Sequence, residues 1–132
     1  MEAKGTLSLE KKTVKTFRDL IVWQQAMELV TVIYRQSMPF PKSEMFGLTS
    51  QMRRCAVSIP SNIAEGYGRH STSDYIRFLQ ISIGSLYELQ TQVEIARNLG
   101  MVSPADYDND VKRTREIERM LSSLITKLKN KL

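Results

Sequence analysis

The apolar positions of this chain recur every three to four residues in four long stretches, and proline or glycine separates each stretch from the next. From Leu20 to Met38, Trp23, Met27, Val30 and Tyr34 form one stripe with Ala26, Leu29 and Ile33 beside it, the pattern of an amphipathic first helix. Pro39-Phe40-Pro41 ends it, since neither proline can donate to a helical ladder, and Ser43 and Glu44 offer an N-cap and a first-turn acid for a second helix. There Met45, Leu48, Met52, Ala56, Ile59 and Ile63 share one face, while Arg54, Ser58, Ser61 and Glu65 line the opposite one. Pro60 lies inside this helix, and because the apolar phase runs on unshifted from Ile59 to Ile63, a kink is predicted and not a break. Gly66-Tyr67-Gly68 is expected to close it, glycine being the residue that enters the left-handed conformation most easily.

Ser71-Thr72-Ser73-Asp74 supplies caps for a third helix from Ser73 to Leu99, ended by Gly100. Ile76, Leu79, Ile83, Leu86, Tyr87 and Val93 make a broad face, and Phe78, Ile81, Leu89, Ala96 and Leu99 extend it past half the circumference. Ser103-Pro104 opens a fourth helix, with Asp106 and Asp108 near its positive end and a narrower stripe of Val111, Ile117, Leu121, Leu124, Ile125, Leu128 and Leu132. Four helices with short connections and no strand pattern predict an all-α, up-down-up-down antiparallel four-helix bundle over residues 17–132. Residues 1–16, with Lys4, Lys11, Lys12 and Lys15 and little helical period, read as a basic tail; a solvated leader is favoured over a phosphate contact. Small residues, Gly84 and Ser85 in the third helix and Ala56, Ser58, Ser61 and Ala64 in the second, predict that these two cross tightly. The surplus apolar side of the third helix is expected to be buried between subunits at Phe78, Ile81 and Leu89, the alternative being cover by the N-terminal tail.

Composition changes this picture little. A chain of 132 residues, 42% hydrophobic and 25% charged, is one ordinary soluble domain with a real core. The formal charge of +5 favours anionic partners. A single cysteine, Cys55, excludes an internal disulfide and any multi-cysteine zinc site, and no apolar run is long enough for a signal peptide or membrane span. A cytoplasmic protein without cofactor, metal or membrane partner is expected.

Candidate chemistry is sparse. His70, the one histidine, sits at a helix junction with no nucleophile in a G-x-S-x-G setting, and reads as a surface or capping residue. Glu65, Glu88 and Glu94 lack the Glu-x-x-His pairs that a di-metal bundle site needs. Gly66-Tyr67-Gly68 has neither the preceding strand nor the third glycine of a nucleotide loop, and Cys55 reads as a small core residue. No enzyme is indicated. The polar stripe of Arg54, Ser58, Ser61 and Glu65, with Asn62 beside it, is either a solvated face or a network that reaches Ser85 or Glu88 on the third helix and fixes register or assembly. On the fourth helix Lys112, Arg113, Arg115, Arg119, Lys127, Lys129 and Lys131 lie off the apolar stripe, and no acid follows Glu118. That outward basic surface suits phosphates without reading bases, since no aromatic platform accompanies it.

The run Phe17-Arg18-Asp19-Leu20 with Val22-Trp23-Gln24, then Arg54 and Ser58-Ile59-Pro60-Ser61-Asn62-Ile63-Ala64-Glu65-Gly66, then Gly84-Ser85-Leu86 with Glu88-Leu89, closely resembles the 23S rRNA intervening sequence proteins. The match covers residues 17 to about 103 and is specific, because the middle run is long and correctly spaced from Gly84-Ser85. Gln90 and Met101 depart from it, standing where glutamate and tyrosine are common. The resemblance implies a bacterial cytoplasmic four-helix bundle and a barrel-like homopentamer, as in the related accessory protein of diversity-generating retroelements, which is basic and works with a reverse transcriptase and nucleic acid. Two functions are therefore carried. One is a non-enzymatic oligomeric scaffold that binds RNA, DNA or a nucleic-acid enzyme through Arg113, Arg115, Arg119, Lys127, Lys129 and Lys131; the other is a structural or protein-interaction module whose charge only keeps it soluble.

Overall fold

The computed structural model describes residues 13–132. Helices α1 (Ile21–Ser37), α2 (Leu48–Tyr67), α3 (Thr72–Asn98) and α4 (Pro104–Lys129) follow a 3-10 turn at Phe17–Asp19, and a second such turn, Lys42–Glu44, joins α1 to α2. Each helix packs on the next and α4 returns to α1, so the antiparallel bundle closes as a square with α1–α2 and α3–α4 on opposite sides. No strand occurs among the described residues. Most of the predicted tail, residues 1–12, lies outside the described residues. Among the described residues of the tail, Val14 meets the bundle through its carbonyl, which accepts from the Tyr67 hydroxyl at 3.4 Å. Thr16 caps the first turn while Asp19 accepts from its N–H at 3.1 Å, a capping box.

The caps of α3 and α4 are those expected: Ser71 and Ser103 accept from the N–H groups of Asp74 and Asp106, each at 3.1 Å. At α2 the acid does this work instead of Ser43, with Leu48 N–H donating to Glu44 Oε1 at 3.1 Å. α2 runs through Pro60 without interruption and keeps Met52, Ala56, Ile59 and Ile63 buried. Its end differs from expectation. Gly68 has a φ of −81°, and of the described residues only Gly100, after α3, takes a left-handed φ, of 74°. Gly66 is needed for space: a Cβ there would lie 2.8 Å from Phe78 Cβ and 3.2 Å from the Tyr75 carbonyl. Gly84, by contrast, is exposed and a Cβ on it would meet nothing within 4 Å, so it plays no part in the close approach.

Two apolar stripes are rotated from where the sequence places them. In α1 the buried positions are Val22, Ala26, Leu29, Ile33 and Ser37, while Met27 and Tyr34 are exposed. The small Ala26 and the polar Ser37 share the core side with Leu29 and Ile33, while Met27 and Tyr34 lie outside it. In α3 the buried line is Ile76, Leu79, Ser82, Leu86, Leu89, Val93 and Ala96, a seam with heptad spacing that Ser82 interrupts in composition only. Leu89 is therefore a core residue at 0% exposure and cannot be an interface residue between subunits. Phe78 is half-buried, with the Arg69 and Arg77 guanidinium groups 4.7 and 4.6 Å from its ring centroid. Ile81 alone of the predicted trio stands out in solvent.

Two glycine substitutions should separate these environments. Gly66→Ala forces the α2–α3 contact apart and should destabilise by about 1–3 kcal/mol. Gly84→Ala fills open space in mid-helix and should stabilise by roughly 0.5–1 kcal/mol. Urea midpoints of the two variants moving in the same direction would contradict the packing described.

Candidate functional site

Between α2 and α3 a polar cleft of about 500 Å³ opens, lined by Gln51, Arg54, Cys55, Ser58, Ser85, Glu88 and Gln92. Its floor is a hydrogen-bond chain. Asn62 Nδ2 donates to the Ser58 carbonyl at 2.8 Å and to Ser58 Oγ at 3.0 Å. Ser58 Oγ and Ser85 Oγ are 2.8 Å apart and share a hydrogen bond in which either hydroxyl can donate, since Ser58 Oγ can accept from Asn62 and Ser85 together. Cys55 Sγ donates to the Ser85 carbonyl at 2.9 Å and lies 3.9 Å from Glu88 Oε1. Burial pushes the Cys55 thiol up to about 11, and the Glu88 carboxylate adds to the rise. A thiol so held stays protonated at neutral pH, which makes it a packing and hydrogen-bonding group and not a nucleophile.

Five predicted network residues, Arg54, Ser58, Asn62, Ser85 and Glu88, thus come together, and two do not. Ser61 is turned toward α1, where it lines an apolar hollow with Trp23 and Pro60. Glu65 lies two turns beyond Ser58 and pairs with Arg69, in the turn that follows α2. Gln51, Cys55 and Gln92 were missed, although each stands three or four residues from a predicted member, the spacing that places side chains on one helix face. The Gln92 Oε1 atom is buried without a partner.

A second polar feature lies at the α1–α4 seam. Asp110 occupies the first buried position of α4, followed by Thr114, Ile117 and Leu121. Its Oδ1 accepts from Gln36 Nε2 at 2.9 Å, while its Oδ2 is buried with no partner. Burial pushes the Asp110 carboxyl up to about 6; Asp106 adds to this, and the Gln36 hydrogen bond and Arg113 oppose it. This acid was not singled out from the sequence, though its seven-residue offset from Ile117 was the signal available.

The basic residues divide. Arg115, Arg119, Lys127, Lys129 and Lys131 are exposed on α4 or just after it, and none makes an ion pair among the described residues. Arg113 is half-buried and faces Glu28 of α1 at 3.5 Å, so part of its charge is spent within the bundle.

The sequence profile described as 23S rRNA-intervening sequence protein matches residues 18–123. No match was found among curated proteins. A crystal structure of a protein of unknown function from the S23 ribosomal protein family of Bacteroides thetaiotaomicron superposes with a TM-score of 0.73 at 21% identity, over 80% of this chain and 96% of that one. Similarity at that identity speaks to the fold.

The two buried acids give opposite experimental handles. Cys55 should react with a thiol reagent at neutral pH only on unfolding, so modification rates with and without denaturant should differ by orders of magnitude. Asp110 is an acid whose folded pKa, about 6, exceeds its ordinary 3.8, so its contribution is complete below about 4 and is lost as pH rises through 6. Against Asp110→Asn, the wild type should therefore lose roughly 2 kcal/mol between pH 4 and pH 7. Denaturant midpoints of both proteins across that range check it; parallel curves would show that Asp110 titrates normally.

Proposed function

The chain belongs to the 23S rRNA-intervening sequence protein family, and from that premise we propose that it is a non-enzymatic homo-oligomeric scaffold, a pentamer, that holds nucleic acid or a nucleic-acid enzyme such as a reverse transcriptase on the outer face of α4. The observation that carries this reading is the run of exposed cations, Arg115, Arg119, Lys127, Lys129 and Lys131, without an ion pair among the described residues. Unpaired cations along one helix attract phosphates by releasing condensed counterions, a force indifferent to sequence and steeply dependent on salt. One copy offers few contacts, but several copies in one assembly multiply them through effective concentration. Arg113, engaged with Glu28, is a lesser member of the surface.

A scaffold is preferred to an enzyme because the cleft's one thiol is held protonated and His70, exposed in the turn before α3, does not line it. A cytoplasmic setting suits a lone unpaired cysteine, and no helix among the described residues is long and apolar enough to cross a membrane.

A specific observation favours the second reading, a protein-interaction module: Phe46 is 97% exposed beside other apolar side chains of α1 and α2. Salt titration separates the two. Replacing Arg115, Arg119, Lys127 and Lys129 with Gln should weaken retention on RNA and DNA alike at least tenfold and flatten its dependence on salt, with helicity and assembly mass unchanged. Wild-type protein that fails to bind either nucleic acid at low salt would hand the function to the interaction-module reading.

A further inference from the structure

The outer face of α1 and α2 carries a knob at one end and a hollow at the other. The knob is Phe46, in the turn before α2, with its ring almost wholly in solvent. Next to it a depression of about 420 Å³ is lined by Tyr34, Met45 and Val57, with Arg53 at its edge. The Arg53 guanidinium lies 4.7 Å from the Tyr34 ring centroid, and its Nε donates to Ser37 Oγ at 2.8 Å, so this end is braced by its own contacts. Val57 also lines the second depression, of about 350 Å³, whose walls are Trp23, Val30, Pro60 and Ala64. The two hollows meet at Val57, the first rimmed also by Thr49, Ser50 and Arg54 and the second mostly apolar.

We infer that this face is where copies of the chain meet, the Phe46 ring of one copy seated in the Trp23–Pro60–Ala64 hollow of the next. The inference rests on the oligomeric reading above and supplies the surface it lacked once Leu89 proved to be core. Both halves of the contact are present on the same chain: an unsupported aromatic ring that nothing in its own bundle covers, and an apolar hollow floored by a proline and an alanine, small enough to admit a ring. Covering an aromatic side chain so exposed removes roughly 200 Å² from water. Met27, Tyr34, Met45 and Val57, each about two-fifths exposed or more, bring the apolar area to roughly 500 Å², well over half of the about 800 Å² per partner in a stable contact. The contact joins one end of the face to the other end of its neighbour's, so it can repeat around a ring or be made twice in a two-fold pair.

Cross-linking tests the contact directly. Phe46 and Ala64 are separated by most of the length of α2, about 25 Å of helical rise, whereas a disulfide needs Cα atoms within about 7 Å. A bond between these positions must therefore join two copies. The native Cys55 is buried and does not interfere. Mixing Phe46→Cys with Ala64→Cys under mild oxidation should give a cross-linked pair in high yield, while Phe46→Cys with Ser123→Cys, on exposed α4, should give background only. Light scattering adds the second arm: Phe46→Glu should reduce an assembled wild type to a single-chain mass with helicity intact, and Ile81→Glu on α3 should leave assembly unchanged. If the wild type assembles but Ile81→Glu dissociates it and Phe46→Glu does not, or if the Phe46/Ala64 pair stays uncross-linked, this surface is wrong and the oligomeric reading stands. If the wild type is a single chain at micromolar and higher concentrations, both fail together.

Discussion

The close approach of α2 and α3 is the constraint on which the bundle depends. Cys55 lies opposite Ser85, Ile59 opposite Ser82, and Gly66 opposite Tyr75 and Phe78, one continuous antiparallel register along the two helices. Each contact in this series has a small residue on at least one side, Cys55, Ser85, Ser82 or Gly66. Ser82 Oγ donates to the Ile59 carbonyl at 2.9 Å and Cys55 Sγ to the Ser85 carbonyl at 2.9 Å, so side chains on each helix bond the backbone of the other. A helix carbonyl reached in this way must come within one short side chain of its neighbour, which only serine, cysteine, alanine or glycine permits. The Ile59 carbonyl belongs to the residue just before Pro60, so the hydroxyl ties α3 to α2 beside the proline, one turn after the Ala56 carbonyl that lacks its ladder donor. Hydrogen bonds that satisfy buried hydroxyls at a fixed height also exclude a slip by one turn, which apolar packing alone would tolerate better.

The same seam makes the polar cleft. Because the backbones converge on Ser58 and Ser85, the longer side chains on the outer edge of the contact, Arg54, Glu88 and Gln92, diverge around an opening that short residues leave unfilled. The cleft is thus a by-product of register, and its hydrogen-bond chain from Asn62 through Ser58 to Ser85 holds the two helices at that separation. At the α1–α4 seam the polar residue is an acid instead. Asp110 is covered on all sides and bonded on one oxygen only, so its burial opposes folding at neutral pH in a way that the serine contacts do not.

The bundle was legible in the sequence because prolines, glycines and caps punctuate it strongly, and four amphipathic periods leave few alternatives. Helix orientation about its own axis was harder to read, for one physical reason: the core lines contain polar or small residues, Ala26 and Ser37 in α1, Ser82 and Ser85 in α3, Asp110 and Thr114 in α4. A reading that follows bulk turns each helix toward Trp23, Tyr34 or Phe78 and away from them. The polar stripe of α2 was found because Ser58 and Asn62 lie one turn apart, yet Glu65 on the same stripe meets a different level of α3, and sequence spacing carries no information on which level the partner helix reaches. Gly66 was assigned to the right place for the wrong cause, since conformational freedom and lack of volume leave the same letter in the sequence.

Rotating α1 to its observed position moves the surplus apolar surface from α3 to the α1–α2 side, and this changes how the molecule can be used. Met27, Tyr34, Phe46 and Val57 are exposed on the α1–α2 side of the square, whose α1 edge adjoins α4. Arg119, Lys127 and Lys129 remain open to solvent and to a polyanion in such an arrangement. The residues that turn the surplus toward α1–α2 are the small and polar ones of the core lines, so the register of the bundle, and not the number of its apolar residues, decides which sides are left for contact.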